Sequence, residues 1–309
     1  MHYMQVPSHV EYERATSVAH ALSLLSRPDT RVLAGGHSLI PMMKLRLAQP
    51  EMLVDINGLA ELDYIRLDGG AGGGGQLRIG ALARHADLLD SAVAGEHFPI
   101  FHDAERVVAD PVVRLWGTVG GSLCQADPSE DLSAVFAAAR ATAVIRGRDG
   151  DRVVPVREFH LGPYETVIGR GELLAEVRVP VPAHRGAGSA YEKVARRVGD
   201  WSVAAAGAVL QLDKHTIKQA GIGLTAVAAE HFVAAEAEDF LRGKPATEEN
   251  FTAAARIAAE HCHPVPDQRG PEDYKRHLVA ELTTRALRRA TERATERATE
   301  RATERAKTR

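Results

Sequence analysis

Two pairs of adjacent glycines, each set beside hydroxyl-bearing residues, are the positions in this chain best suited to hold a ligand. The first lies in Leu33-Ala34-Gly35-Gly36-His37-Ser38-Leu39-Ile40-Pro41, where a short apolar run enters Gly-Gly. Without Cβ atoms the next backbone N–H groups can point outward together, and a ligand can lie against the main chain. Such a nest holds a diphosphate with little help from charged side chains. The second pair lies in Thr118-Val119-Gly120-Gly121-Ser122, with a hydroxyl on each flank. One Gly-Gly turn is common. Two of this kind predict a two-sided cradle for an extended, phosphate-bearing cofactor.

Little else in the chain suggests chemistry of its own. No Ser-His-Asp order, catalytic carboxylate pair or activated thiol stands out. His261, Cys262 and His263 are adjacent at a helix end before Pro264, a spacing poorly suited to a metal. Cys124 and Cys262 are the only cysteines. They cannot form a disulfide framework or supply the four thiolates of an iron–sulfur cluster, so any such cluster belongs to another chain. Cys124 reads as a small loop residue. The run Gly69 to Gly75 reads as a mobile hairpin tip, since it lacks the Lys and the following helix of a phosphate-binding loop.

The bulk numbers agree with a binding protein of ordinary type. The chain has 309 residues, enough for two or three small domains, and is 45% hydrophobic. A net charge of -3 gives no basic field for nucleic acid. No apolar run is long enough to cross a membrane, and Met1 to Gln5 lack the layout of a secretory signal, so a cytoplasmic location is expected.

Three units must position the cradle. Residues 1–57 read as a β/α unit: a strand at 10–12, a helix capped by Ser17, a strand at 31–33, a helical turn at 41–47 and a strand at 52–56. Residues 58–179 read as a mixed unit with strands at 64–67, 77–79, 143–145, 152–155 and 174–179. Its helices are expected at 86–94, 100–109 and 131–139, with 123–128 irregular. Residues 180–288 read as an α+β domain with a three-stranded antiparallel sheet (189–194, 204–212, 218–226) and helices at 230–241, 247–261 and 271–289. The fold class is therefore α+β, a two-part binding domain followed by a C-terminal domain. Residues 289–309 repeat Arg-Ala-Thr-Glu, a helical spacing without large apolar residues. They are expected to be a solvent-bathed, low-complexity charged tail, dispensable for cofactor binding.

Taken in order, the motifs resemble the flavin-binding medium subunit of the molybdenum hydroxylases, with the closest likeness to the aerobic carbon monoxide dehydrogenases. The resemblance runs from about Tyr12 to about Leu287. It is carried by Ala34-Gly35-Gly36-His37-Ser38 with Pro41 and Lys44, and by Thr118-Val119-Gly120-Gly121-Ser122 with Asp127-Pro128 and Asp131. Glu172-Leu173-Leu174 before Pro180, Tyr191-Glu192-Lys193 with Asp200, and Asp267-Gln268-Arg269-Gly270 with Tyr274 complete it.

The resemblance implies FAD held by Leu33 to Ile40 and Thr118 to Ser122, with Asp131, Leu174, Tyr191 and Lys193 as further contacts. Family members usually carry Asn at the position of Ser122, which is shorter. His37 is implied to be a non-covalent contact. Molybdenum cofactor is implied on a large partner subunit and iron–sulfur clusters on a small one, with a quinone, NAD or dioxygen as external acceptor. Arg106, Arg114 and Trp116 read either as lining the way to a partner or as ordinary packing. The alternatives are a self-contained flavin-dependent oxidase or reductase with the same FAD-binding domain, and a non-catalytic module that keeps the fold without FAD.

Overall fold

The first glycine pair is delivered by a small parallel sheet. In the computed structural model, which describes residues 6–69, 74–182, 186–228 and 232–307, the first unit contains β1 (Glu11–Arg14), α1 (Val18–Leu25), β2 (Thr30–Leu33), α2 (Leu39–Lys44) and β3 (Met52–Asp55). The strand order is β1-β3-β2, all parallel. Ser17 caps α1 by accepting from the His20 N–H at 3.1 Å, and Val18, Ala21, Leu22, Leu24 and Leu25 turn into the core. The Gly-Gly loop thus leaves the C-terminal end of β2, the edge at which open parallel sheets commonly bind ligands.

The second unit is built on an antiparallel sheet. Its elements are β4 (Ile65–Asp68), β5 (Gln76–Gly80), α3 (His85–Asp90), α4 (Ala92–His97), α5 (Pro99–Glu105), α6 (Pro111–Trp116), α7 (Val119–Gln125) and α8 (Leu132–Ala138). They are followed by β6 (Thr142–Gly147), β7 (Gly150–Pro155), the short pair β8 (His160–Gly162) and β9 (Glu165–Thr166), and β10 (Leu173–Pro180). The main sheet has the order β4-β5-β10-β6-β7. Positions 70–73 of the glycine-rich run between β4 and β5 lie outside the described residues.

Two local expectations are corrected, and one further helix is found. The expected helix over 86–94 is two helices, because Ser91 is extended and its hydroxyl restarts the chain by capping Ala94 N–H. Residues 111–116 form α6, started by Asp110 and Pro111. The second glycine pair is not a turn, and 123–125 is not irregular: both belong to α7, which places Cys124 in a helix.

The third unit contains β11 (Ala187–Ala195), β12 (Ser202–Asp213) and β13 (Thr216–Thr225), antiparallel in that order, then α9 (Ala235–Leu241), α10 (Glu248–Glu260) and α11 (Glu272–Lys307). The helix expected from 230 begins at 235, and 229–231 lie outside the described residues. The sheet is buried on both faces. On one side, α8 lies so close to β13 that a Cβ on Gly221 or Gly223 would overlap the carbonyls of Ala138 and Ala134. On the other, α10 and α11 bury Phe251, Ala254, Val279, Leu282 and Leu287 against it.

The tail is also corrected. The helix α11 runs through it without a break, with Ala290 and Ala294 fully buried. Small side chains suffice here because Gly188 on β11 lets the helix backbone come into contact. Arg289 and Arg293 both pair with the buried Asp103, at 2.8 and 2.6 Å. Removing residues 289–309 takes away both cations of Asp103 together with the buried Ala290 and Ala294. Breaking such a pair costs about 3–5 kcal/mol, so the melting temperature should fall by roughly 5–15 °C. Removing only 301–309 should leave it within about 1 °C. Equal melting curves for the two truncations would show that the tail contributes nothing.

Candidate functional site

The two glycine pairs meet. Any Cβ on Gly35 would collide with the carbonyl oxygen of Trp116 and lie 2.8 Å from the Gly117 Cα. Gly36 has φ +75°, a conformation that glycine adopts without strain. The chain then turns at His37 and Ser38 into α2, where the Ile40 N–H returns to the Gly36 carbonyl at 3.0 Å. Among the described residues, no acceptor engages the amide N–H groups of Gly36, His37 and Ser38. They are open donors of the kind expected for a phosphate nest.

The second segment is different from the expectation. Its amides are committed to the protein. Val119 N–H donates to Ala83 and Gly120 N–H to Ala81, both at 2.9 Å, and His85 N–H to Gly117 at 3.2 Å, so residues 81–85 form a floor beneath it. The hydroxyl of buried Thr118 caps α7 by accepting the Gly121 N–H at 3.0 Å. Gly120 is required by packing, since its Cβ would lie 2.6 Å from the Cβ of Ala81. Only Gly121 is exposed, and a Cβ there would meet nothing but Thr118. The second segment therefore offers a bare main-chain surface, whereas the first offers free donors.

A polar ring joins the two. Asn57, just after β3, donates to the Ala34 carbonyl and to Asp55 Oδ1, both at 2.8 Å. Arg84 donates to Asn57 Oδ1 at 2.8 Å and, through Nη1, to the Trp116 carbonyl. Burial alone would raise the Asp55 carboxyl, but donors from Tyr12 and Asn57 hold it below its ordinary value. Behind Gly117, His85 pairs with the fully buried Glu105 at 2.9 Å. Burial pushes Glu105 up. In His85 the lowering effect of burial is overcome by the adjacent carboxylate, so its pKa is raised.

Beyond α7 lies a second cluster. Ser122 is the link: its hydroxyl donates to the buried Glu130 at 2.8 Å, and Glu130 also accepts the Leu132 and Ser133 N–H groups. Burial, more than any neighbour, raises the Glu130 pKa. Next to it, Asp131 accepts from Lys193 Nζ at 2.8 Å, the Tyr191 hydroxyl at 2.7 Å and the Ser202 hydroxyl at 2.9 Å. Tyr191 is raised well above 10 by its burial and by Asp131, so it keeps its proton. The close contact of α8 with β13 is what brings Asp131, at the start of α8, against β11 and β12.

The sequence-derived residues are thus partly assembled. Leu33 to Ser38 and the start of α7 are brought together where Gly35 meets Trp116 and Gly117, but Thr118, Val119 and Gly120 are buried and only Gly121 is exposed. Asp131, Tyr191 and Lys193 form the adjoining buried cluster. Leu174 joins neither, being packed in the apolar core with Leu123 and Ile145. Leu39 is half-buried and Ile40 exposed on α2. His37 is exposed at the loop. Arg114 is spent on the carbonyls of Val108 and Ala109. Asn57, Arg84, Glu130 and Ser202 had no sequence signal, because each acts through a partner distant in the chain or through burial. Among the described residues no group of three or more His, Cys, Asp or Glu is arranged to hold a metal.

Comparison with known proteins agrees on one family. A family profile described as "FAD binding domain in molybdopterin dehydrogenase" matches residues 8–182, and one described as "CO dehydrogenase flavoprotein C-terminal domain" matches 189–290. The chain is 39% identical over 284 residues to the carbon monoxide dehydrogenase medium chain of Hydrogenophaga pseudoflava, covering 91% of this chain and 97% of that one. It is 35% identical to the glyceraldehyde dehydrogenase medium chain of Sulfolobus acidocaldarius, covering 91% and 98%. The solved structure of the H. pseudoflava carbon monoxide dehydrogenase, in a form lacking the Mo-pyranopterin moiety, superposes with a TM-score of 0.87 at 40% identity, covering 93% and 99%.

The geometry makes a direct test possible. Gly35→Val forces the two segments apart, and Gly121→Val both fills the exposed surface and crowds the cap oxygen. Each should weaken FAD binding by roughly a hundredfold, about 2.7 kcal/mol, in a titration followed by flavin fluorescence. Full flavin retention by both folded variants after gel filtration would show that this surface is not the cradle.

Proposed function

The chain belongs to the flavoprotein medium subunits of the molybdenum hydroxylases, oxidoreductases that include carbon monoxide dehydrogenase, and on that premise we propose how it binds FAD and what it does in its complex. The observation that supports the reading best is the close approach of Gly35 to the Trp116 carbonyl, which brings the loop with three free amides to the chain just before α7, whose Gly121 is exposed. The residues present fit an extended dinucleotide: open donors for a diphosphate, main chain without side chains to lie along, and a cation held nearby.

In this proposal the amides of Gly36, His37 and Ser38 bind the diphosphate, and Gly121 leaves room for the chain that continues from it. Asp131 holds Lys193 and Tyr191 in place, so that one cation and one phenol stay fixed and desolvated at the far end of the cradle. Thr118, Gly120 and Ser122 act from behind, by capping α7, admitting Ala81 and anchoring Glu130. Leu174 contributes apolar packing. FAD, when bound, supplies the redox chemistry, taking up electrons and releasing them to another carrier. The chain adds placement and electrostatics; no residue in the cluster is arranged to activate a substrate.

We further assign the chain a place between partners. A large molybdenum-cofactor subunit oxidises the substrate, a small iron–sulfur subunit relays the electrons, and a quinone, NAD or dioxygen removes them. The whole assembly is cytoplasmic. Similarity to medium chains of both carbon monoxide and glyceraldehyde dehydrogenases supports a common electron-transfer role with the substrate chosen elsewhere. A partner surface is offered beside the cradle: Val112, Leu115 and Trp116 are exposed on α6, and Val198 and Trp201 on the loop whose Gly199 packs against the Ala109 carbonyl.

Two measurements test this. The purified chain should show a flavin spectrum with one FAD per chain, all of it released by denaturation. Flavin that stays with the unfolded polypeptide would refute non-covalent binding. Native mass spectrometry of the protein from its own host should find it with a molybdenum subunit and an iron–sulfur subunit, as a dimer of trimers. A lone chain that turns over a substrate at a useful rate would favour a self-contained flavoenzyme instead.

A further inference from the structure

The two halves of the candidate cradle come from different units of the fold, and the guanidinium of Arg84 reaches toward both. Arg84 leaves the floor segment at the start of α3, where its backbone pairs with Thr118 and its N–H donates to Asp87 at 3.3 Å. One arm of its guanidinium reaches the Trp116 carbonyl, the same oxygen that Gly35 abuts. The other arm reaches Asn57 Oδ1 at 2.8 Å. Asn57 in turn donates to the Ala34 carbonyl. The result is a closed ring: Ala34 and Gly35 in the first loop, Asn57 after β3, Arg84, then Trp116 and Gly117 before the second segment.

Each member of the ring has little freedom left. The Asn57 backbone N–H is held by Asp55 Oδ1 at 2.8 Å, its side-chain amide by Asp55 and Ala34, and its carbonyl by Arg84. Asp55 is secured from the far side by the Tyr12 hydroxyl. Gly35 also abuts the Trp116 carbonyl, a contact with no directionality of its own; farther along, Gln125 Nε2 on α7 donates to Met42 Sδ on α2 at 3.5 Å. The planar fork of a guanidinium can bond two acceptors at a fixed separation, which an ammonium cannot do.

We propose that Arg84 is the positioning residue of the flavin cradle, fixing the Gly35–Ser38 loop against the Thr118–Gly121 segment through Asn57 and the Trp116 carbonyl. The proposal rests on the assignment of this surface to FAD. Its consequence is that Arg84 and Asn57 act as a unit: losing either one frees the loops from each other, and losing both adds nothing more.

The experiment is a double-mutant cycle in the full-length chain, with FAD as the probe. Arg84→Ala and Asn57→Leu should each raise the FAD dissociation constant at least about tenfold, the range expected for hydrogen bonds involving a charged group. The double variant should be no weaker than the weaker single one. Arg84→Lys should not restore affinity, because charge without the fork cannot span both acceptors. Added guanidinium should partly restore Arg84→Ala and leave Asn57→Leu unchanged.

A purely structural role would lower the melting temperature of the flavin-free chain while leaving FAD affinity in the folded fraction unchanged, and that result would overturn the proposal. Additive losses, or full recovery by Arg84→Lys, would overturn it too. Should Arg84→Ala fail to fold, Asn57→Leu and Arg84→Lys still decide between fork and charge. Failure of the two readings is distinguishable: variants that bind FAD like the parent refute only the positioning role, whereas a parent chain that binds no FAD refutes the cradle itself.

Discussion

The approach of Gly35 to the Trp116 carbonyl is the constraint around which the structure is arranged. It requires a residue without Cβ at one position and a free backbone edge at the other. The parallel sheet β1-β3-β2 sets the height at which the first loop emerges. Residues 81–85, running along 117–120 with backbone hydrogen bonds, set the height of the second. Neither unit alone presents both segments of the candidate site. The site exists only where two separately built edges are held in register, and this is why polar side chains accumulate at the seam.

The two glycine pairs perform different work although they look alike in sequence. In the first, glycine serves conformation and access: Gly36 sits at positive φ and the amides after it stay free. In the second, glycine serves packing: Gly120 admits Ala81, and the amides are consumed by the floor and by the Thr118 cap. A helix start built on Val-Gly-Gly is poor in intrinsic propensity, by roughly 1 kcal/mol per glycine relative to alanine. The cap and the floor contacts compensate, and the helix leaves its exposed glycine as a flat surface.

This distinction marks the limit of what the sequence makes legible. Local signals are legible. Ser17 before an apolar stripe marks α1, and the expected helix at 247–261 and strands at 189–194, 204–212 and 218–226 correspond to α10 and the C-terminal sheet. The order of the glycine, acid and Tyr-x-Lys motifs marked the family. Long-range signals were not legible. Arg84 is an unremarkable surface-type residue until its fork is seen to span partners 27 and 32 positions away. The tail lacks large apolar residues, yet alanine is enough where Gly188 has removed the opposing side chain. In both cases the deciding contact is with residues distant in the chain, which no local pattern encodes.

The same logic ties the tail to the site. Asp103 accepts from Arg289 and Arg293 on one side and from the Tyr191 backbone N–H, at 3.2 Å, on the other. Tyr191 then reaches Asp131, and Asp131 holds Lys193. A buried carboxylate is tolerable only when cations and donors surround it. Asp103 has both, and its position is thereby fixed against β11. A repeat that looked like solvent-exposed filler therefore supplies the charges that pin the strand carrying Tyr191 and Lys193. If the chain holds FAD as proposed, rigidity at that strand serves it more directly than any acid or base would.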